Sequence, residues 1–136
     1  MNEIEAGLYG ALSADTAIIA ELNDSTAIYN QLAPQTVAPP YIVFGPGFGG
    51  KENISPGDLR NYVYPVKAVT TGEQGAKKAG TLGELILTCL HGATLTVNGF
   101  TNFRTQAEGQ IQFMEVGRDG KPIFHSGYDI RIRIDA

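Results

Sequence analysis

A chain of 136 residues, 43% hydrophobic and only 18% charged, can bury one real core but would make two poor ones. Its net charge of −4 lacks the basic footprint that a nucleic-acid binder needs. One cysteine and two histidines exclude an intrachain disulfide and fall short of a zinc site, so no metal or cofactor is expected. Charge is also unevenly placed: residues 1–50 hold five acidic side chains and no basic one, whereas all ten basic residues lie beyond them. Such polarity can assist head-to-tail stacking of copies.

In chain order, Ile4, Leu8, Ala11 and Leu12 form one apolar stripe at helical spacing, so residues 2–12 read as an amphipathic helix. The acidic start lacks the basic and apolar stretches of a signal peptide, and no apolar run approaches the roughly 20 residues of a membrane span. A soluble protein is expected, cytoplasmic unless an assembly carries it elsewhere. Asp15 or Ser13 can cap a second short helix through Leu22. Asn23-Asp24-Ser25 breaks it, and Ala27-Ile28-Tyr29 is a brief extended piece. Pro34, Pro39 and Pro40 then deliver the chain, already extended, into a strand at Tyr41–Phe44.

Residues 45–60, rich in glycine and proline, show no periodicity and read as a long loop, mobile alone and ordered against a partner. Phe48 is its large apolar side chain. Gly45, Gly50 and Lys51 meet the spacing of a phosphate loop, but Glu52 stands where a hydroxyl must be, and its charge would repel phosphate.

A strand resumes at Asn61–Val69, with Tyr62, Tyr64, Val66 and Ala68 on one face. Thr71 and Gln74 have the spacing of a capping box for a helix running to Leu90. Its Gly80 and Gly83 weaken it or let it lie close to a sheet, and His91-Gly92 ends it. Cys89, inside that apolar run, reads as a buried, inert thiol. Two hairpins are expected beyond: Leu95–Val97 with Phe100–Arg104 around Asn98-Gly99, and Gly109–Val116 with Pro122–Ile134 around Arg118–Lys121. On the last strand Phe124, Tyr128, Ile130, Ile132 and Ile134 face one way, and Asp129, Arg131, Arg133 and Asp135 the other. His125 and Ser126, being adjacent, point to opposite faces and cannot share a catalytic role. The expected architecture is α+β: one domain over 1–136, a two-layer sandwich of a mostly antiparallel sheet with helices packed on one face.

Taken together, the opening helix with Ala11-Leu12, the segment Ile28-Tyr29-Asn30-Gln31-Leu32-Ala33-Pro34 and the strand Pro39-Pro40-Tyr41-Ile42-Val43-Phe44-Gly45 carry a family likeness. In their order along the chain they resemble the tail completion, or tail terminator, family of siphophages and prophages. The likeness extends over essentially the whole chain, although Tyr62–Val66 departs from relatives that end this run in an aromatic such as Trp. It implies a non-enzymatic virion subunit, assembled in the host cytoplasm. Such a subunit would form a ring, hexameric in this family, that caps the tail tube and meets the head-side connector. The family has no catalytic residues to carry over. On physical grounds the interface candidates are Phe48, Lys51 and Arg60 of the 45–60 segment, Tyr62 and Tyr64 as a strand edge, and Arg131 and Arg133 of the last strand. Another neck, head–tail joining or tube protein is an alternative, as is a small ligand-binding module or enzyme using the 45–60 segment.

Overall fold

In a computed structural model, described here for residues 1–24, 26–52 and 57–136, three helices cover one face of a six-stranded sheet. The elements are α1 (Asn2–Ala14), α2 (Thr16–Leu22), β1 (Ile28–Asn30), β2 (Tyr41–Phe44), β3 (Phe48–Lys51), β4 (Arg60–Thr71), α3 (Gly75–Leu90), β5 (Thr101–Val116) and β6 (Pro122–Asp135). The α+β class with a largely antiparallel, open sheet is as expected; the β1–β2 pair alone is parallel.

Strand order is β1-β2-β4-β6-β5, and β3 pairs with β4 beside β2. β4 therefore carries two short strands along one flank. β2 ends at the Phe44–Val66 pair and β3 begins at Phe48–Val63. Tyr64 and Pro65 fall in that gap, so the proline, which cannot donate to a ladder, sits where this flank has none to complete.

The alternation read from β6 holds. Ile130, Ile132 and Ile134 are fully buried and join Tyr64, Val66 and Ala68 of β4 in the core. Helix α1 adds Ile4, Leu8 and Leu12, and α3 adds Leu82, Ile86 and Leu90, at the spacing that puts each set on one helical stripe. Close helix–sheet approach is visible at Gly83, where a Cβ would lie 2.4 Å from Ser126 Oγ. Gly80 has open space instead. Asp15 caps α2 as expected, its carboxylate accepting from Ile18 N–H at 3.0 Å.

Four local expectations are corrected. The 45–60 segment is not all loop, because Phe48–Lys51 pair with β4 as β3; residues 53–56, part of the segment read as mobile, lie outside the described residues. Leu95–Val97 form no strand. They are buried apolar coil against the core, and β5 runs on from Thr101 to Val116 in a single strand broken only by irregularities at Asn102/Arg104 and Ala107/Gln110. The Thr71–Gln74 capping box does not form, since Thr71 belongs to β4 and its hydroxyl donates to Pro122 C=O. Finally, Tyr62 and Tyr64 do not mark a strand edge, because β4 has partners on both flanks. β6 lies between β4 and β5, and the outer strand on that side is β5.

Candidate functional site: two sheet edges

Every residue put forward as an interface candidate from the sequence has a definite place. Phe48 is 67% exposed on β3, on the sheet face away from the helices. Tyr64 is 1% exposed and belongs to the core. Burial, with the nearby Glu5 and Tyr62, pushes its phenol up to about 12. Its ring lies so close under Gly47 that a Cβ there would fall 2.3 Å from Cζ. Tyr62 and Tyr64 thus form no strand edge: β4 has partners on both flanks.

Arg60 is held within its own chain, donating twice to Asp58 and lying 4.9 Å from the centre of the Phe100 ring. Asp58 holds the Arg60 charge, and its own carboxyl is drawn below the usual range by that bond. Lys51, paired with Arg60, is exposed. Arg131 makes a two-pronged contact with Glu108 and donates to Asn61 at 2.9 Å, so its charge is spent within its own chain. Arg133 Nε is buried with no partner among the described residues. The structure does not bring these seven residues into one surface.

A feature the sequence reading missed lies on β5. The outer flank of its first half is closed by the segment that follows α3. Gly92 N–H donates to Thr105 C=O at 2.8 Å, and Ala107 N–H donates to His91 Nδ1 at 3.0 Å. Asn102 fastens this clip. Its Oδ1 accepts from Leu95 N–H and Thr105 hydroxyl, and its Nδ2 donates to Arg104 and Arg133 carbonyls. All the bonding capacity of a buried amide is used.

The second half has no such cover. Among the described residues, only β6 bonds the backbone of Ile111–Val116, and Phe113, Met114 and Val116 are 47%, 56% and 68% exposed. Phe113 stacks on His125, ring centres 4.2 Å apart, with Lys67 Nζ 5.1 Å from the Phe113 centroid. On the other face of the strand, Met114 lines a groove of about 300 Å³ with Ala76, Gly80 and Phe124.

The opposite side of the sheet ends in β1, only three residues long. Tyr29 of β1 and Tyr41 of β2 meet edge to face, 5.9 Å between ring centres. Leu32, just past β1, is 81% exposed.

Chemically reactive groups are not gathered. Cys89 is partly buried, its thiol pushed up to about 12 by burial and directed at Ala11 C=O. No group of three or more metal-ligating side chains occurs among the described residues. A hollow of about 590 Å³ between α1 and Thr94–Asn98 has Glu3 as its one ionisable lining residue.

A sheet covered on one face, with apolar side chains displayed at its edges, defines a protein built to pack against other proteins. Residues 6–135 match the family model of the tail completion protein gp17, and the chain belongs to that family. It is accordingly a structural protein of the phage virion tail, with no enzymatic role. The fold is shared with a chain in the virion of a native gene transfer agent particle, with a TM-score of 0.73 at 19% identity over 97% of this chain and 94% of that one. No curated protein matches this sequence.

Proposed function

We propose that this protein caps the end of a phage tail tube as a closed ring, hexameric as the family likeness implies, and presents its other rim to the head-side connector. The observation that carries the reading is the pair of dissimilar sheet edges, β1 and β5, on opposite sides of one subunit. A ring needs two different surfaces that join head to tail, and closing it leaves both rims free for other partners. A two-fold dimer would need one self-complementary patch instead.

Charge supports the same arrangement. The first 50 residues offer only negative side chains, so in any contact with another copy they find cations only in residues 51–136. Of the residues proposed from sequence, Phe48 keeps an interface role: it is exposed on the β1 side of the sheet. Lys51 is exposed and available to a tube or connector partner, whereas Arg60 and Arg131 are held by groups of their own chain, Tyr62 packs against the core and Arg133 Nε is buried. Tyr64 is withdrawn, because its side chain is inside the core.

The test is solution mass by light scattering over a wide concentration range. A species near six times the 14.5 kDa chain is expected. A chain that stays monomeric at every concentration would transfer the reading to a neck or head–tail joining protein that binds singly.

A further inference from the structure

The two sheet edges, though dissimilar, are complementary in position, direction and side-chain chemistry. Reading the pairings across the sheet, Tyr29 lies opposite Val43, then Lys67, Gly127 and finally Ile111. Asn30 reaches Gln110 in the same way through Phe44, Val66 and Tyr128. The short β1 edge is therefore level with the start of the open half of β5.

Direction agrees as well. β1 is parallel to β2, and each later step across the sheet is antiparallel. β1 and β5 thus run oppositely, and a copy placed beside the first by rotation about an axis along the strands would set its β1 antiparallel to β5. Closed rings involve no translation along their axis, so such a rotation keeps Tyr29 of one copy near the height of Ile111 of the next.

Side chains complete the match. On the face away from the helices, the receiving edge presents Ile111 and Phe113, and the arriving edge presents the Tyr29–Tyr41 pair. Aromatic and β-branched neighbours across antiparallel strands are stabilising. The clip at His91–Leu95 closes the lower half of β5 and so restricts pairing to the upper half.

We infer that the open edge Gln110–Val116 of one copy receives β1 of a second copy as an added antiparallel strand, continuing the sheet from subunit to subunit. This inference rests on the ring reading and specifies its joint. The occupant is a copy of this chain because its own opposite edge supplies the height, the direction and the aromatic partners that the β5 edge requires. Strand addition of this kind draws its affinity from main-chain hydrogen bonds and its register from alternate side chains.

Disulfide trapping tests the joint on the full chain in a Cys89→Ser background. Tyr29→Cys combined with Ile111→Cys is oxidised over a range of concentrations and separated without reductant. Each chain then carries both halves of the joint, so a ladder extending well beyond dimer is expected, whereas either cysteine alone stops at dimer. Tyr29→Cys with Phe103→Cys places the second thiol on the clipped half of β5 and should give no ladder. If the parent chain is multimeric by light scattering yet the first pair ladders no better than this control, the strand joint is wrong and the ring reading survives. A monomeric parent with no ladder overturns both. Asn30→Cys with Gln110→Cys, both exposed positions, repeats the measurement should Tyr29→Cys lose cooperative melting.

Discussion

Gly47 and His125 show what single positions contribute. At Gly47 the backbone crosses the Tyr64 ring with no room for a methyl group. Gly47→Ala must either displace a fully buried tyrosine or lift the chain between β2 and β3, and overpacking of this kind costs about 1–3 kcal/mol. Urea unfolding should show that loss as a lowered midpoint. His125 is buried beneath Phe113, with Lys67 and Glu115 as its charged neighbours on that face. Burial lowers its pKa below the ordinary value; the Glu115 carboxylate, 2.8 Å from Nε2, opposes the shift without cancelling it, and Lys67 adds to it. A lowered folded-state pKa means the unfolded chain binds more protons just below pH ~6.5. Stability should therefore fall as pH drops through that value and level off once the folded imidazole also protonates. Urea midpoints measured at stepped pH check this, and His125→Gln should flatten that part of the slope.

At the scale of elements, β5 is two strands in one. Its first half is closed by the clip that Asn102 fastens, and its second is open. Asn102→Ala would strand the buried Leu95 N–H and Thr105 hydroxyl, at about 1–3 kcal/mol for each group left unpaired, and would release two part-buried carbonyls. A loss of about 3 kcal/mol in denaturant unfolding is expected, together with faster hydrogen exchange at Gly92, Leu95 and Ala107 as the clip frays. None of this was legible beforehand, because Asn98-Gly99 between two apolar runs is a strong hairpin signal. Leu95 and Val97 obey another demand: both are buried in the core, so their apolar character reports burial rather than strand pairing. The second turn was read correctly. There Gly117 N–H donates to Lys121 C=O and Gly120 has φ +78°, a local arrangement that needs nothing from the rest of the fold. The missed capping box has a similar cause, since Thr71 is drawn into twelve-residue β4 by its pairing with Ile123.

For the whole molecule, the proposed joint between copies lies at the edges of the sheet. A strand edge with Phe113, Met114 and Val116 exposed is an aggregation hazard unless another chain covers it. Lysine on such an edge opposes pairing, so Met114→Lys with Val116→Lys should weaken self-association by about tenfold or more, equivalent to about 1.4 kcal/mol, while leaving the thermal midpoint of the dilute chain nearly unchanged. Light scattering and a melting curve on the same sample measure the two quantities. Association that withstands both lysines would move the contact away from β5.

The sequence by itself determined which residues are inside. Ile4, Leu8 and Leu12 at helical spacing, and Ile130, Ile132 and Ile134 in alternation, could bury their faces in only one manner, because helix and strand periodicity depend on the backbone alone. Those patterns carried the α+β class, and the order of short segments carried the family likeness. Only the tertiary structure decided which strands lie at the edge. The strand of Tyr62 and Tyr64 reads from sequence as an edge. In the fold, all twelve residues of β4 pair with β6 on one side, and β2 and β3 flank the other. Strand order depends on contacts between residues far apart in sequence, and no local pattern records it.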